Sequence, residues 1–365
     1  MKKSKYYNLK NILSKNCTYS IIIGERSNGK TYACLKYGIE QYVRAGAQLA
    51  VVRRWQDDFK SKRGASMFDA LIANGEIDAL TNHEWTDVYY YGSRWYFCRY
   101  DDNKKRIVSD DPFAFAFAIS SMEHDKSTSY PRVKTVVFDE FITRSYYLPD
   151  EFILFMNVLS TIVRQRSDVK ILMCGNTVSK TCPYFVEMGL THIKKQQPGT
   201  IDVYTYGDSS LTVAVELCAG NVAGKDSNRF FAFDNPRLSM ITGNGSIWEM
   251  AIYPHCPCKY TPADIQFIYF VEFDGDLLQC EIVLKDDLFF TFVHRKTTPI
   301  KDPARDIIFS PDVDARPNHY RRITKPTNDL TNRIADFYRR DKVFYADNEV
   351  GEIMRNYLQW SSKTQ

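Results

Sequence analysis

Residues 21–31 of the chain read IIIGERSNGKT, and the whole interpretation starts from this stretch. An apolar run ends at Gly24, four mixed residues follow, and Gly29, Lys30 and Thr31 close the pattern. This spacing, G-x-x-x-x-G-K-[ST], is typical of a phosphate-binding loop. The glycines let the backbone curl so that successive N–H groups point at phosphate oxygens, and the next helix adds its positive N-terminus.

The loop predicts which residues would hold a nucleotide triphosphate. Lys30 is expected to reach the β and γ phosphates, and the Thr31 hydroxyl is expected to bind Mg²⁺. The predicted ligands are therefore ATP and Mg²⁺. The predicted nucleotide-binding residues are Gly24, Glu25, Arg26, Ser27, Asn28, Gly29, Lys30 and Thr31.

A second motif supports the first. Residues 135–140, TVVFDE, are an apolar strand pattern ending in two carboxylates. Asp139 would hold Mg²⁺ through water, and Glu140 would act as the base that polarises the attacking water. An Asp-Glu pair on its own is more often a solvated turn. Together with the upstream loop it predicts a site that hydrolyses ATP.

The adjacent glutamate also separates two classes of P-loop enzyme. Small-molecule kinases exclude water from the reacting phosphate, whereas hydrolases of the additional-strand (ASCE) type activate it. Such hydrolases also place a polar residue on a neighbouring strand, next to the γ phosphate. Asn176, which ends the apolar run 169–176, is predicted for this role; the alternative is a turn-forming Asn-Thr.

The flanking sequence alternates between strand and helix patterns. Tyr19–Ile23 reads as a buried strand, and apolar residues then recur at helical spacing until Gly46. A further helix is predicted over 150–166, with Asp150 as its N-cap. More strands are predicted over 49–55, 87–100 (a hairpin turning at Gly92-Ser93), 113–120, 133–141 and 169–176. The pattern predicts an α/β domain with a mostly parallel sheet.

The alternation of strand and helix patterns ends at about residue 205. We predict a P-loop ATPase domain over 1–207, a turn-rich connecting segment over 208–255 and a smaller α+β domain over 256–365. The last domain is expected to contain a hairpin turning at Asp274-Gly275, a further strand and two helices.

Composition limits the remaining possibilities. The net charge is +4, from 48 basic and 44 acidic residues, so nucleic-acid binding would need local basic patches. No run approaches the ~20 apolar residues of a membrane span, so no membrane partner is predicted. Nine scattered cysteines predict reduced thiols inside a cell. His255–Cys258 reads HCPC, but no second ligand pair follows at a zinc-site spacing.

These motifs resemble those of the genome-packaging ATPases of phi-29-like phages. The similar stretches are Ile22 to Thr31, Val52-Arg53-Arg54, Lys126-Ser127 through Tyr130-Pro131, and Val137 to Phe141. The resemblance implies a homo-oligomeric ring, a pentamer, docked on the portal of an empty capsid. It implies that ATP hydrolysis drives double-stranded DNA inward. The host cytoplasm, with transient attachment to the prohead portal vertex, is the implied location.

The resemblance also implies that a basic residue of a neighbouring subunit completes each site. Arg164 and Lys126 are the matching positions, and an arginine finger can raise the rate by ~10³ or more. Arg26, inside the loop, could act in its own site or across the interface. Arg166 and Arg144 compete with Arg164, which could equally be a solvated helix end.

For the second domain the resemblance implies a vestigial, inactive ribonuclease-H-like fold. A nuclease would need acidic groups converging on two metals, and Asp274, Asp276, Asp312 and Asp314 read instead as turn residues. Residues 316–342 hold eight basic and three acidic residues, which could grip phosphates of DNA or of a prohead RNA. A solvated helical face is the alternative. The eight are Arg316, Arg321, Arg322, Lys325, Arg333, Arg339, Arg340 and Lys342.

Two other functions fit the motifs. Another P-loop nucleic-acid motor, such as a helicase, would separate strands, although strand-separating helicase motifs are absent. A non-catalytic nucleotide-binding assembly protein would bind ATP tightly without turnover.

Overall fold

A computed structural model describes residues 7–26, 28–124, 128–143, 147–177, 182–193, 195–219 and 253–362. The chain forms two compact units. The first comprises Met1–Val178 and Gly189–Ala232, and the second comprises Ser179–Met188 and Phe233–Gln365. No helix in the described ranges is long and apolar enough to cross a membrane.

The first unit is built on one ten-stranded sheet in the order β3-β4-β6-β2-β7-β8-β1-β10-β9, with β5 paired to β4. The six central strands, from β6 to β10 in that order, are parallel, and antiparallel strands lie at both edges. The strands are β1 Tyr19–Gly24, β2 Gln48–Arg53, β3 Asp87–Tyr91, β4 Arg94–Tyr100, β5 Arg106–Val108, β6 Ala114–Ala118, β7 Val133–Asp139, β8 Lys170–Asn176, β9 Thr200–Thr205 and β10 Thr212–Leu217.

The order of three of these strands confirms the predicted ASCE-type fold. β8 lies between β1, which leads into the phosphate loop, and β7, which ends in the carboxylate pair. This is the additional strand of the ASCE arrangement. Because the three strands are parallel, their carboxyl ends meet at one edge of the sheet, where ligands of open α/β sheets bind. The predicted α/β fold with a mostly parallel sheet is confirmed.

Helices of the first unit pack on this sheet. The longest, α2, begins at Lys30 directly after the loop and ends at Gly46, which has the left-handed φ of 65° that favours glycine. Its buried face meets the core of apolar strand residues. The helices are α1 Lys10–Leu13, α2 Lys30–Ala45, α3 Lys62–Ala65, α4 Asp69–Ala73, α5 Glu76–Leu80 and α6 Glu151–Val163, with short 3-10 turns at Gln56–Phe59, Ser66–Phe68 and Ile119–His124.

Two predictions about this unit need correction. Asp150 occupies the N-cap position of α6, but its side chain makes no capping hydrogen bond, because its backbone is left-handed with φ 51°. The segment predicted to connect two domains from residue 208 contains β10. This strand pairs in parallel with β1, so the first sheet continues past the predicted boundary. Most of the remaining predicted connector, residues 220–252, lies outside the described ranges.

The second unit contains a six-stranded mixed sheet in the order β15-β14-β11-β12-β13-β16. β11, β12 and β13 form an antiparallel meander, and β14 and β15 extend it in parallel. This arrangement is consistent with the ribonuclease-H-like fold. The strands are β11 Ile265–Phe273, β12 Asp276–Lys285, β13 Leu288–Arg295, β14 Ile307–Phe309, β15 His319–Tyr320 and β16 Val343–Tyr345.

The predicted hairpin and both predicted helices of this unit are present. The β11–β12 turn uses Asp274 and Gly275, both with positive φ (51° and 78°), as a two-residue hairpin turn requires. The helices are α7 Pro183–Glu187, α8 Asp329–Arg339 and α9 Asn348–Ser362, with a 3-10 turn at Pro262–Asp264. α8 and α9 cover one face of the sheet, where Tyr269, Phe309, Ile353 and Tyr357 are buried.

Candidate nucleotide site

The phosphate loop joins β1 to α2 at the carboxyl edge of the first sheet. Gly29 has φ 90°, a left-handed conformation that favours glycine, and it precedes the first residue of α2. At Gly24 a Cβ atom would lie 2.8 Å from the Cβ of Cys218 on the segment after β10. Both glycines of the motif are therefore required by local geometry. Ser27 lies outside the described residues.

The Lys30 ammonium group is buried inside the curl of the loop. It donates to the carbonyl oxygens of Gly24 (3.0 Å) and Glu25 (2.7 Å) and to Oδ1 of Asn28 (3.1 Å). Burial lowers the pKa of Lys30 below its ordinary value. Phosphate oxygens would supply the negative charge that stabilises the ammonium form, so the site is suited to an anion.

Lys30 also joins the loop to the additional strand. Its Nζ lies 3.2 Å from Oδ1 of Asn176, the last residue of β8, and Asn176 pairs with Gly24 in the strand register. The structure therefore places the predicted γ-phosphate sensor beside the lysine that would bind the same phosphate. The sensing role itself stays a prediction.

Two oxygen ligands for a metal lie side by side. The Thr31 hydroxyl donates to Oδ1 of Asp139 at 2.6 Å, and Asp139 is only 3% exposed. Hydroxyl and carboxylate oxygens are the ligands that Mg²⁺ prefers. These are the two residues predicted from sequence to hold the metal.

An arginine that the sequence analysis left without a role completes this group. Arg53, the last residue of β2, forms an ion pair with Asp139, and its Nη1 lies 3.9 Å from a carboxylate oxygen of Glu140. The signal was present in the sequence: a basic residue ends an apolar strand parallel to β7. The strand order that makes the two ends neighbours could not be read from the sequence.

Polar atoms without partners support a polar ligand at this edge. Within the described ranges, Nε of Arg53 and Oγ1 of Thr177 are buried and have no hydrogen-bond partner. Thr177 directly follows Asn176 and donates its backbone N–H to the Gly24 carbonyl at 3.1 Å. Because buried polar groups are normally hydrogen-bonded, these atoms, with Thr31 and Asp139, fit a bound metal–triphosphate.

Glu140 differs from its buried neighbour. Its side chain is 60% exposed, and its backbone has the left-handed φ of 60°. This sharp turn directs the chain away from β7 immediately after Asp139. The carboxylate is thus available to a water molecule or to a ligand, as the predicted base must be.

A buried ion pair holds the segment after Glu140 in place. Arg54 donates to both carboxylate oxygens of Glu151, at 2.7 and 2.8 Å, and also to the carbonyl oxygens of Glu140 (3.3 Å) and Phe141 (2.8 Å). The Glu151 carboxylate in turn accepts the Leu148 backbone N–H at 2.7 Å. Arg54 therefore connects the end of β2, the Glu140 turn and the start of α6.

This pair predicts a large loss of stability when one partner is removed. Arg54→Met removes the two-point guanidinium contact of the buried Glu151 carboxylate, so we expect the free energy of unfolding of the first unit to fall by about 3–5 kcal/mol. Urea denaturation followed by tryptophan fluorescence measures the change. The matched control is Lys134→Met, whose partner Asp168 is half exposed, with an expected change below about 1 kcal/mol. Equal changes in the two variants would show that Arg54 does not anchor this segment.

The candidates for a residue acting on a neighbouring site differ in accessibility. Arg164 follows α6, is exposed, and donates from Nη2 to the Thr128 carbonyl at 2.8 Å. Arg26 is also exposed. Arg166 is held by backbone carbonyls on β7 and α6, including those of Val133 (2.8 Å) and Ile162 (2.7 Å). Lys126 and Arg144 lie outside the described residues.

The four aspartates of the second unit do not converge. Asp274 forms the β11–β12 turn, Asp276 pairs with Arg295, and Asp314 pairs with Arg316. Asp312 donates its backbone N–H to the Ser310 hydroxyl at 3.3 Å. Within the described part of the chain, no group of three or more His, Cys, Asp or Glu side chains is placed to hold a metal ion. His255–Cys258 lies within this described part.

Five of the eight basic residues of 316–342 fall into two groups. Arg321 and Arg322 lie over the Trp360 ring, at 5.6 and 5.1 Å, and so pack against α9. Three others line a groove of about 690 Å³ whose apolar wall includes the half-exposed Phe289. These three are Arg333, Arg340 and Lys342.

Known proteins match this chain over different lengths. Residues 1–198 match the model of the podovirus DNA encapsidation protein (Gp16) family. The DNA packaging protein of Bacillus phage phi29 is 31% identical over 193 residues, which are 52% of each chain. That of Bacillus phage B103 is 31% identical over 182 residues, 49% of this chain and 50% of the relative. The chain thus aligns with about half the length of the curated relatives that it matches.

Two solved structures match nearly the whole chain. A chain of the phi-28 gp11 DNA packaging motor has a TM-score of 0.56 at 17% identity and covers 99% of both chains. A chain of the bacteriophage phi-29 viral genome packaging motor assembly has a TM-score of 0.56 at 19% identity, covering 98% of this chain and 99% of the other. At these identities the likeness shows the fold, and it extends over both units.

Proposed function

The chain belongs to the podovirus DNA encapsidation protein (Gp16) family, and on that premise we propose that it is the ATP-hydrolysing subunit of a motor that moves double-stranded DNA into a preformed capsid. The observation that carries the proposal is the convergence of Lys30, Asn176, Thr31 and Asp139 at the carboxyl edge of one sheet. Relatives named as DNA packaging proteins match about half of the chain.

The chain's own residues would bind and orient the nucleotide. Loop N–H groups and the start of α2 would face the phosphates, and Lys30 would exchange its contacts with the loop carbonyls for contacts with the β and γ phosphates. Thr31 and Asp139 would hold Mg²⁺. When bound, Mg²⁺ supplies positive charge that offsets the charge of the phosphates.

Glu140 would accept a proton from the attacking water, because its exposed carboxylate follows directly after Asp139. Arg53 lies between the two carboxylates. It is placed to keep Asp139 compensated before the nucleotide binds and to orient Glu140. Asn176 would report the γ phosphate to β8 through its contact with Lys30.

The proposed partners follow from the family and from the distribution of charge. They are double-stranded DNA, further copies of the chain in a ring (a pentamer), the capsid portal and a prohead RNA. The protein would act in the host cytoplasm, transiently attached to the portal vertex. DNA contacts should go to phosphates and not to base edges, because a motor must follow any sequence. The groove lined by Arg333, Arg340 and Lys342 is one candidate surface.

The test of this function is ATP hydrolysis by the full chain, alone and with linear duplex DNA and empty capsids. We expect hydrolysis to rise when both are present. ATP binding with no turnover under any of these conditions would instead support a nucleotide-binding assembly protein. Unwinding of a partial duplex would support a helicase.

We propose Arg164 as the residue that acts on a neighbouring site, because its side chain is exposed whereas that of Arg166 is half-buried. To act there, Arg164 would release the Thr128 carbonyl, to which it donates at 2.8 Å. Arg164→Ala should lower turnover by ~10³. A mixture with Glu140→Gln subunits should regain part of it, since each mutant then supplies what the other lacks. Steady-state hydrolysis at a fixed total subunit concentration measures this. A mixture as inactive as its components would contradict action across the interface. Arg26→Ala, a substitution in the loop, is the comparison variant.

A further inference from the structure

The hairpin β3–β4 and the short strand β5 carry a set of side chains that the nucleotide site does not use. One side of this hairpin packs into the core through Tyr90, Trp95 and Phe97. The opposite side is defined here as the tyrosine–arginine face. Its residues are Tyr89, Tyr91, Arg94, Tyr96, Tyr100 and Arg106, which the strand register and the alternation of side chains place together.

Rings and one guanidinium group form a row on this face. The rings of Tyr89 and Tyr91 are parallel within 5°, with centroids 6.2 Å apart. The Arg106 guanidinium lies 4.5 Å from the Tyr89 ring and 5.6 Å from the Tyr100 ring. Arg106 pairs with Tyr100, at the end of the hairpin away from the turn. It therefore approaches Tyr89 from the side opposite Tyr91.

The arginines of the tyrosine–arginine face form no ion pair with the described residues. Arg94 lies over the Phe115 ring (5.9 Å), and the neighbouring Arg99 lies over Trp85 (5.5 Å). Neither these two nor Arg106 forms an ion pair with any described residue. Asp87, the carboxylate on this face, accepts the backbone N–H of Val88 at 2.7 Å. The face is thus aromatic, positively charged and open to solvent, with Tyr91 68% exposed.

We propose that the tyrosine–arginine face binds a single-stranded nucleic-acid segment. Unpaired bases would stack on the exposed tyrosine rings, and their phosphates would contact the arginines. A duplex fits less well, because its base faces are covered and the rings would gain no stacking. A second copy of the chain would have to bring acidic groups to Arg94 and Arg106, which form no ion pair with the described residues.

This inference goes beyond the proposed function, because a motor that moves duplex DNA needs contacts to phosphates only. An unpaired strand would be a partner separate from that duplex. The two ideas can therefore fail independently: ATP hydrolysis tests the motor, whereas binding of unpaired nucleotides tests the face.

The experiment measures fluorescence anisotropy of a labelled mixed-sequence RNA of about 12 nucleotides, as a single strand and as a duplex, with the full chain. Tyr91→Ala should weaken single-strand binding about tenfold, the cost of one lost stacking contact. Arg106→Gln should weaken it by about the same factor, the cost of one lost charged contact to a phosphate. Duplex binding and ATP hydrolysis should stay within about twofold of the unmodified chain. Tyr91→Phe should restore single-strand binding, since it keeps the ring.

The matched control is Arg44→Gln, which removes one exposed positive charge from α2, where the side chain bonds only to Gln41 among described residues. It should change single-strand binding by less than about twofold. Equal weakening by Arg44→Gln and Arg106→Gln would show non-specific charge attraction and overturn the proposal. So would unchanged binding in Tyr91→Ala, or a change of oligomeric state in that variant, which would identify a second copy as the occupant.

Discussion

Glu140→Gln is expected to lower ATP turnover by ~10²–10⁴ while ATP still binds. The amide has the size and shape of the carboxylate but cannot accept the proton of the attacking water. Glu140 is the more exposed of the two carboxylates that Arg53 contacts. Its replacement should therefore leave the fold and the lysine pocket unchanged.

Single-turnover hydrolysis reports the effect on the chemical step, and equilibrium binding reports the effect on ATP affinity. Glu25→Gln is the control: the loop would bind phosphates through its backbone N–H groups, which this substitution keeps, and the Lys30 ammonium contacts only the backbone carbonyl of Glu25. Its turnover should remain within a few-fold of the unmodified chain. If Glu140→Gln hydrolysed ATP as fast as the unmodified chain, the site would have another base, and the carboxylate assignment would be wrong.

Lys30→Ala is expected to abolish ATP turnover by removing the binding of ATP. A charged hydrogen bond contributes about 1.5–3 kcal/mol, and Lys30 would make at least two to the phosphates, so we expect the affinity to fall by ~10²–10⁴. The Lys30 side chain contacts both the Gly24 carbonyl and Asn176. Its loss also removes the side-chain contact between the loop and Asn176.

Lys36→Ala provides the control from the same helix, because Lys36 pairs with Glu76 at 2.7 Å on the other side of α2. It should leave the ATP affinity unchanged within about twofold. Normal ATP binding by Lys30→Ala would exclude this loop as the phosphate site, whatever the turnover.

The nucleotide site could be predicted from sequence because its residues occupy fixed offsets from two apolar strands. Gly29 and Gly24 are required by a positive φ and by a close approach of Cys218, and these constraints leave a pattern in the sequence. The ion pairs of Arg53 and Arg54 cannot be predicted from fixed sequence offsets in this way. Their partners are Asp139 and Glu151, 86 and 97 residues away, and only the strand order shows that they meet.

Errors in the predicted fold have the same origin. The stretch TVAVEL, residues 212–217, is short and lies between turn-rich segments. The local sequence pattern therefore predicts that it belongs to a connecting segment. Its pairing with β1 in the sheet decides its structure. Asp150 was placed correctly at the start of α6, but propensity could not show that its left-handed backbone leaves no capping hydrogen bond.

In the second unit, the sequence predicts those elements that depend mainly on local turn residues and helical spacing. Asp274-Gly275 specifies a hairpin turn by itself, and α8 and α9 follow from helical periodicity. The basic residues of 316–342 could be counted from sequence. Which of them pack on Trp360 and which line the groove beside Phe289 depends on tertiary packing.

The most direct test of the central claim combines the full chain with empty capsids, linear duplex DNA and ATP, and measures the length of DNA protected from added nuclease. The account predicts genome-length protection with the unmodified chain, and none with Glu140→Gln, although that variant still binds ATP. Equal protection by Glu140→Gln, or by the unmodified chain with a non-hydrolysable ATP analogue, would contradict the claim that hydrolysis at Lys30, Asp139 and Glu140 moves the DNA.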